Sequence, residues 1–155
     1  MKRFLTIFLG LCICFMMIQP SFGKNNKKNN AKKEPQVTTK RLGSDPNGGN
    51  CAGYAQSQIK NLGHGLTSKK DKEDRRNSYR PKKNTAAIIN EGPYGHVAVV
   101  EKVDNKGKNK SITIRETNYG YNGVTERKVT GRNMKEIEKK INIVGYIDPN
   151  KKNKK

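Results

Sequence analysis

The sequence predicts an α+β domain in which a helix near its start packs on a mostly antiparallel sheet. Two observations carry that expectation. Apolar residues at positions 51, 52, 55, 59 and 62 recur at the spacing of one helix face, and Gly63 follows as a stop. From Thr85 onward the texture changes to short runs rich in Val, Ile and Thr, at 85–89, 96–103, 111–116, 124–129 and 141–147, parted by turn residues. A helix followed by successive strands is the pattern of segregated α and β layers.

Ahead of that domain, Lys2 and Arg3 precede an apolar run over 4–18, and Gln19-Pro20 interrupts it. Ser21-Phe22-Gly23 then places small residues three and one before a cut after Gly23. This three-part layout predicts a secretory signal over 1–23, and hence a secreted, periplasmic or envelope location. The run is shorter than the roughly 20 residues of a spanning helix, so no transmembrane segment is expected after cleavage. Leu11 before Cys12 and Ile13 before Cys14 do not supply the small residue of a lipoprotein site.

Residues 24–41 open on Lys-Asn-Asn-Lys-Lys-Asn-Asn and are nearly free of apolar side chains. Such a stretch buries too little surface to offset its conformational entropy, so a disordered basic linker is expected there, and a similar basic tail over 150–155. What remains, 42–149, is one small domain with a thin core, and a monomer is expected. Within it, the charge run Lys69-Lys70-Asp71-Lys72-Glu73-Asp74-Arg75-Arg76 reads as a solvated helix or loop inside 67–83. Residues 133–140 read as a helical turn with Met134 and Ile137 facing inward.

Cleavage after Gly23 removes Cys12 and Cys14 and leaves Cys51 as the single cysteine. An exported chain with one cysteine forms no internal disulfide, so the thiol pairs between chains or is free, and a free one is either a small buried hydrophobe or a reactive group. The charge of +20 on the whole chain falls by two with Lys2 and Arg3, to +18. Such an excess attracts polyanions, whether nucleic acid, anionic lipid or the acidic polymers of a bacterial envelope, without choosing among them. Specific nucleic-acid recognition is not expected, since neither a basic-aromatic stacking motif nor zinc-ligand spacing is present.

A thiol nucleophile needs a lowered pKa, a nearby imidazole, and a partner that fixes the imidazole's tautomer. Cys51 stands at the expected helix start, after the turn Gly48-Gly49-Asn50, where unpaired N–H groups favour a thiolate. Of the two histidines, His64 lies in the loop Gly63-His64-Gly65, whereas His96 opens a strand after the turn Gly92-Pro93-Tyr94-Gly95. In the run 111–119, strand alternation puts Ile112, Ile114, Glu116 and Asn118 on one face. Two apolar residues there lead to two polar ones. If that strand lies beside the histidine strand, Glu116 and Asn118 reach His96.

Three blocks together resemble one known family. They are Asn50-Cys51-Ala52-Gly53-Tyr54-Ala55, then Tyr94-Gly95-His96-Val97-Ala98-Val99-Val100-Glu101-Lys102-Val103, then Ile114-Arg115-Glu116-Thr117-Asn118-Tyr119. Their order and spacing, over about 45–147, are similar to the cysteine- and histidine-dependent amidohydrolase/peptidase (CHAP) domain, a relative of papain-like and NlpC-type cell-wall hydrolases. The resemblance implies a papain-like core that hydrolyses peptidoglycan amide bonds through a thioester acyl-enzyme, as an amidase or an endopeptidase. It implies Cys51 as nucleophile, His96 as general base, Glu116 orienting His96, and Asn118 assisting near the site. Asn50, Tyr54, Tyr94 and Tyr119 belong to the same blocks and are the expected contacts to substrate or oxyanion. Peptidoglycan and anionic wall polymers are the expected partners.

Two departures accompany the resemblance. The family commonly carries a tryptophan-containing segment between the cysteine and histidine blocks, and this chain has no Trp. Some members bind calcium just before the cysteine, where this chain offers only Asp45 and Asn47, so no required metal or cofactor is expected. The competing expectation is a catalytically inactive basic module on the same fold that binds wall or another polyanion.

Overall fold

The structure is a computed structural model that describes residues 34–152. The expected signal, residues 24–33 of the expected linker, and the tail from 153 lie outside the described residues. In chain order the elements are β1 (Gln36–Gly43), α1 (Cys51–Gln58), α2 (Lys69–Asp74), β2 (Ala86–Ile89), β3 (His96–Asp104), β4 (Lys110–Thr117), β5 (Val124–Gly131), α3 (Met134–Lys140) and β6 (Ile143–Ile147). The strands form one sheet in the order β1-β5-β4-β3-β2-β6, every neighbouring pair antiparallel. This is the α+β architecture expected, with the Cys51 helix leading the sheet's central strands.

The period-2 pattern of the central strands divides the core into two clusters. Ala86, Ile88, Val97 and Val99 pack with Ala52, Ala55, Ile59, Leu62 and Leu66 from α1 and the loop after it. Their alternates Ala87, Ile89, Ala98 and Val100 pack with Ile112, Ile114, Val129, Tyr146 and Ile137 of α3. Burial on both faces explains why β2 and the first half of β3 read as continuous apolar runs. Ile137 is buried as expected, and Met134 packs partly buried against the same cluster.

Three elements differ from the sequence reading. Helix α1 ends at Gln58 rather than near Gly63, because Ile59 takes an extended conformation (φ −110°, ψ 109°) while its N–H still bonds the Ala55 carbonyl. Ile59 and Leu62 nonetheless reach the core, so the helical spacing of apolar residues persists past the helix itself. Strand β1 begins inside the stretch expected to be disordered. All eight of its residues are exposed, so it carries no hydrophobic signal. Its order comes from a backbone ladder with β5, running from Gln36 opposite Thr130 to Gly43 opposite Val124.

The third difference is the charge run. It contains α2, started by a reciprocal capping box: the Ser68 hydroxyl accepts from the Asp71 N–H, and the Asp71 carboxylate accepts from the Ser68 N–H. The Thr67 hydroxyl donates to the same carboxylate at 2.9 Å. These hydrogen bonds hold the Asp71 carboxyl down at about 2. One residue of the run is buried instead. Lys72 is 2 % exposed.

Candidate active site

Cys51 is the first residue of α1, and the helix entry is built by its two predecessors in chemistry rather than in sequence. Asp45 accepts from the backbone N–H groups of Asn47, at 2.8 Å, and of Gly49. That Asx-type turn delivers Asn50, whose side-chain oxygen caps the helix by accepting from Ala52 and Gly53 at 3.0 and 3.2 Å. With Asp45 occupied by backbone N–H groups, its oxygens serve the turn. Among the described residues no group of three His, Cys, Asp or Glu side chains is arranged to hold a metal.

His96 is the first residue of β3, delivered by a turn in which Gly92 and Gly95 both adopt positive φ, 66° and 65°. Gly95 lies with the Lys69 backbone 3.5 Å from where a Cβ would stand, so the turn presses on α2. The register of β3 and β4 sets Val99 opposite Arg115. One step further puts Glu116 beside Ala98 and diagonal to His96 on the same face. The ring Nε2 of His96 donates to the Glu116 carboxylate at 2.8 Å. The other nitrogen, Nδ1, is left for the Cys51 thiol, with which His96 is hydrogen-bonded.

Charge at this site is arranged in buried pairs. Burial pushes the Cys51 thiol up, but the hydrogen bond and charge of His96, the Val97 N–H and the Lys72 charge outweigh it and bring the thiol below its ordinary value. For His96, burial disfavours the cation, and the hydrogen bonds and charges of Cys51 and Glu116 overcome it, raising the imidazole to about 9. The two shifts run in the directions that favour a thiolate–imidazolium pair.

Glu116 is fully buried and is clamped by Arg127 of β5, itself 1 % exposed. Arg127 Nε donates to one carboxylate oxygen and Nη2 to the other at 2.8 Å. The Arg127 guanidinium also lies 3.6 Å from the centre of the Tyr119 ring. Sequence reasoning missed Arg127. The signal was there in alternation: Arg127 shares the inward parity of Val129, and its ladder partner Ile114 is two residues from Glu116.

The Cys51 and His96 side chains open on a cleft of about 550 Å³, lined also by Asn50, Leu66, Thr67, Lys72, Glu91, Tyr94, Asn118 and Tyr119. The wall between the cysteine and histidine blocks is thus made by the charge run and its neighbours, in a chain without Trp.

The match to known proteins falls on these same residues. The model of the CHAP domain matches residues 41–118, half of the chain, and spans Cys51, His96, Glu116 and Asn118. The chain belongs to the CHAP-domain family. CHAP domains are hydrolytic, amidases or peptidases that act on peptidoglycan, and membership carries that general assignment. No curated protein and no solved structure matches the chain. Arg127 lies beyond the matched residues.

Within this CHAP domain the remaining expected residues have different fates. Asn118 lies past the end of β4, exposed and at φ 61°, so it leaves the face shared by Ile112, Ile114 and Glu116. It lines the cleft, while the carboxylate on His96 belongs to Glu116. Tyr94 is 71 % exposed at the cleft edge. Tyr119 lines the cleft with its ring centre 6.4 Å from that of His96. Tyr54 is a correction: it is 5 % exposed in the α1 core cluster and does not line the cleft. Its large apolar ring falls on the buried side of a helix only eight residues long. His64 stays in its loop, its carbonyl accepting from Arg75 at 2.8 Å.

Proposed function

We propose that the protein is a secreted cysteine amidohydrolase or endopeptidase that cuts amide bonds in bacterial peptidoglycan. The observation that carries this reading is the continuous chain Cys51–His96–Glu116–Arg127, with its Cys51–His96 end open to a cleft. The Cys51 thiolate attacks the amide carbonyl carbon, and the carbonyl electrons move to oxygen. The Cys51 N–H, which the Asn50 cap does not take up, and the Asn50 side-chain amide stabilise that oxyanion. Imidazolium His96 then gives its Nδ1 proton to the leaving amine, the C–N bond breaks, and a thioester remains. Neutral His96 next takes a proton from water as it attacks the thioester, and the acid product leaves with the thiolate restored. Glu116 keeps the ring oriented through both halves of the cycle.

The Lys- and Asn-rich stretch after residue 23 serves in this reading as an electrostatic tether to acidic wall polymer. The experiment is release of muropeptides from purified peptidoglycan by the protein, Cys51→Ala and His96→Ala, with mass spectrometry of the products. Fragments from the unmodified protein alone support the reading, and their masses name the bond cut. Equal release by Cys51→Ala removes Cys51 as the nucleophile, and no release by any form while all three bind the wall replaces the reading with a basic binding module.

A further inference from the structure

Besides its through-space effect on the Cys51 thiol, one buried charge has no contact with substrate in the cycle above. Lys72 projects from α2 and lines the cleft together with Cys51, Leu66, Thr67 and Tyr94. Its ammonium donates to the Tyr94 carbonyl at 2.9 Å and to the Ser68 carbonyl at 3.4 Å. Those take two of the three protons an ammonium offers. Among the described residues no carboxylate lies in ion-pair range of it. Asp71 is engaged with Ser68 and Thr67, and Asp74 with Lys70. A buried ammonium hydrogen-bonded only to carbonyls is costly, and burial lowers its pKa against the through-space pull of Cys51 and Asp71.

The surrounding charges sharpen the point. The Cys51 thiolate is answered by His96, and Glu116 by Arg127. The sulfur takes its hydrogen bonds from His96 and the Val97 N–H, so Lys72 acts on it only through space. Glu91, half-buried on the facing turn, is not paired with Lys72. Lys72 is thus an excess positive charge in the cleft wall, fixed from two sides by the capping box of α2 and by the turn that carries Tyr94.

We propose that the Lys72 ammonium receives a free carboxylate of the substrate, so that the cleft selects stem peptides carrying an acid beside the scissile amide over the same peptides carrying a carboxamide. The cleft has the size of a small-ligand site, so a carboxylate on Lys72 and an amide at Cys51 belong to neighbouring residues of one short peptide. The proposal rests on the hydrolase reading in taking its ligand from the peptide that is cut. An amide in place of the acid keeps the shape and loses the charge-assisted hydrogen bond, which lowers affinity about tenfold or more.

The test uses a synthetic stem tetrapeptide with free carboxylates and the same peptide with them amidated. Binding of each to Cys51→Ala is measured by calorimetry, and cleavage of each by the unmodified protein is measured alongside. The acid form is expected to bind at least about tenfold tighter and to be cleaved with a correspondingly lower KM. Lys72→Met is expected to weaken binding of the acid down to that of the amide, and Lys72→Arg to keep the preference. Equal binding of the two peptides, or binding of neither, overturns the carboxylate site. Preferential binding without cleavage of the tetrapeptide sustains the site, with muropeptide release from whole peptidoglycan then deciding the hydrolase reading separately, whereas equal cleavage of both peptides sustains the hydrolase reading and removes the site. If Lys72→Met does not fold, the acid and amide comparison on Cys51→Ala still decides.

Discussion

Replacing Arg127 by Met should destabilise the domain more than any other single change at the site, for a reason that can be worked from the carboxylate it holds. Glu116 is fully buried and accepts from three side-chain N–H groups: Arg127 Nε, Arg127 Nη2 and His96 Nε2. The Met variant removes two of the three and leaves a buried charge facing a single donor. Removing one partner of a buried ion pair costs about 3–5 kcal/mol, against a total stability of about 5–15 kcal/mol for a domain. Loss of the guanidinium from the Tyr119 face adds about 0.5–2 kcal/mol. Urea unfolding followed by circular dichroism measures this as a fall in midpoint at unchanged slope. The double variant Glu116→Gln, Arg127→Met removes both charges together and should recover about 2 kcal/mol or more relative to the sum of the singles. A single variant within about 1 kcal/mol of the unmodified protein, with an additive double, would falsify the buried-pair account.

Hydrolysis should follow a bell-shaped pH profile in kcat/KM, its acid limb set by formation of the Cys51 thiolate and its basic limb by loss of the His96 proton near 9. Glu116→Gln should move that basic limb to lower pH, since the carboxylate helps raise His96. Two linkages oppose each other between about pH 6.5 and the ordinary thiol range, so each offsets part of the other's effect on stability. His96, raised to about 9, adds stability that is complete below 6.5 and lost as pH rises to 9. Cys51, lowered, adds stability that is complete above the ordinary thiol value and lost as pH falls through its folded value. Denaturation of Cys51→Ala across this range should therefore show stability falling more steeply with rising pH than in the unmodified protein, with Glu116 still raising His96, and an identical slope would remove the ion pair. Raising salt should weaken binding to whole walls far more than cleavage of a short soluble peptide, and equal loss of both would remove the tether.

What could be read in the sequence was whatever rests on strong periodicity. The central strands, the helix start at Cys51 and the shared parity of Ile112, Ile114 and Glu116 follow from alternation and from turn residues at the element ends. β1 could not be read, because a strand with all its side chains exposed is specified by backbone pairing with a distant partner. Lys72 could not be read either. A helix of six residues is too short for its spacing to mark an inner face, and its burial depends on a turn more than 20 positions away. Asn118 was placed by extending alternation one step too far, past the end of β4. Arg127 was legible in principle, since an inward-facing arginine on one strand demands an anion on the next.

The clamp on Glu116 also bears on how His96 can turn over. A buried carboxylate bonded only to an imidazolium would hold that proton firmly, and the leaving amine would have to compete for it. In this site the same carboxylate is already shared with Arg127, and one of its oxygens accepts from both cations. Glu116 then orients the ring without concentrating a full unpaired charge on it. Proton transfer between Cys51 and His96 leaves the buried pair Glu116–Arg127 unchanged, so the interior sees an exchange within one ion pair rather than a gain of charge. The charge that stays unanswered is Lys72, which sits on the cleft side of this arrangement, where a substrate anion can reach it.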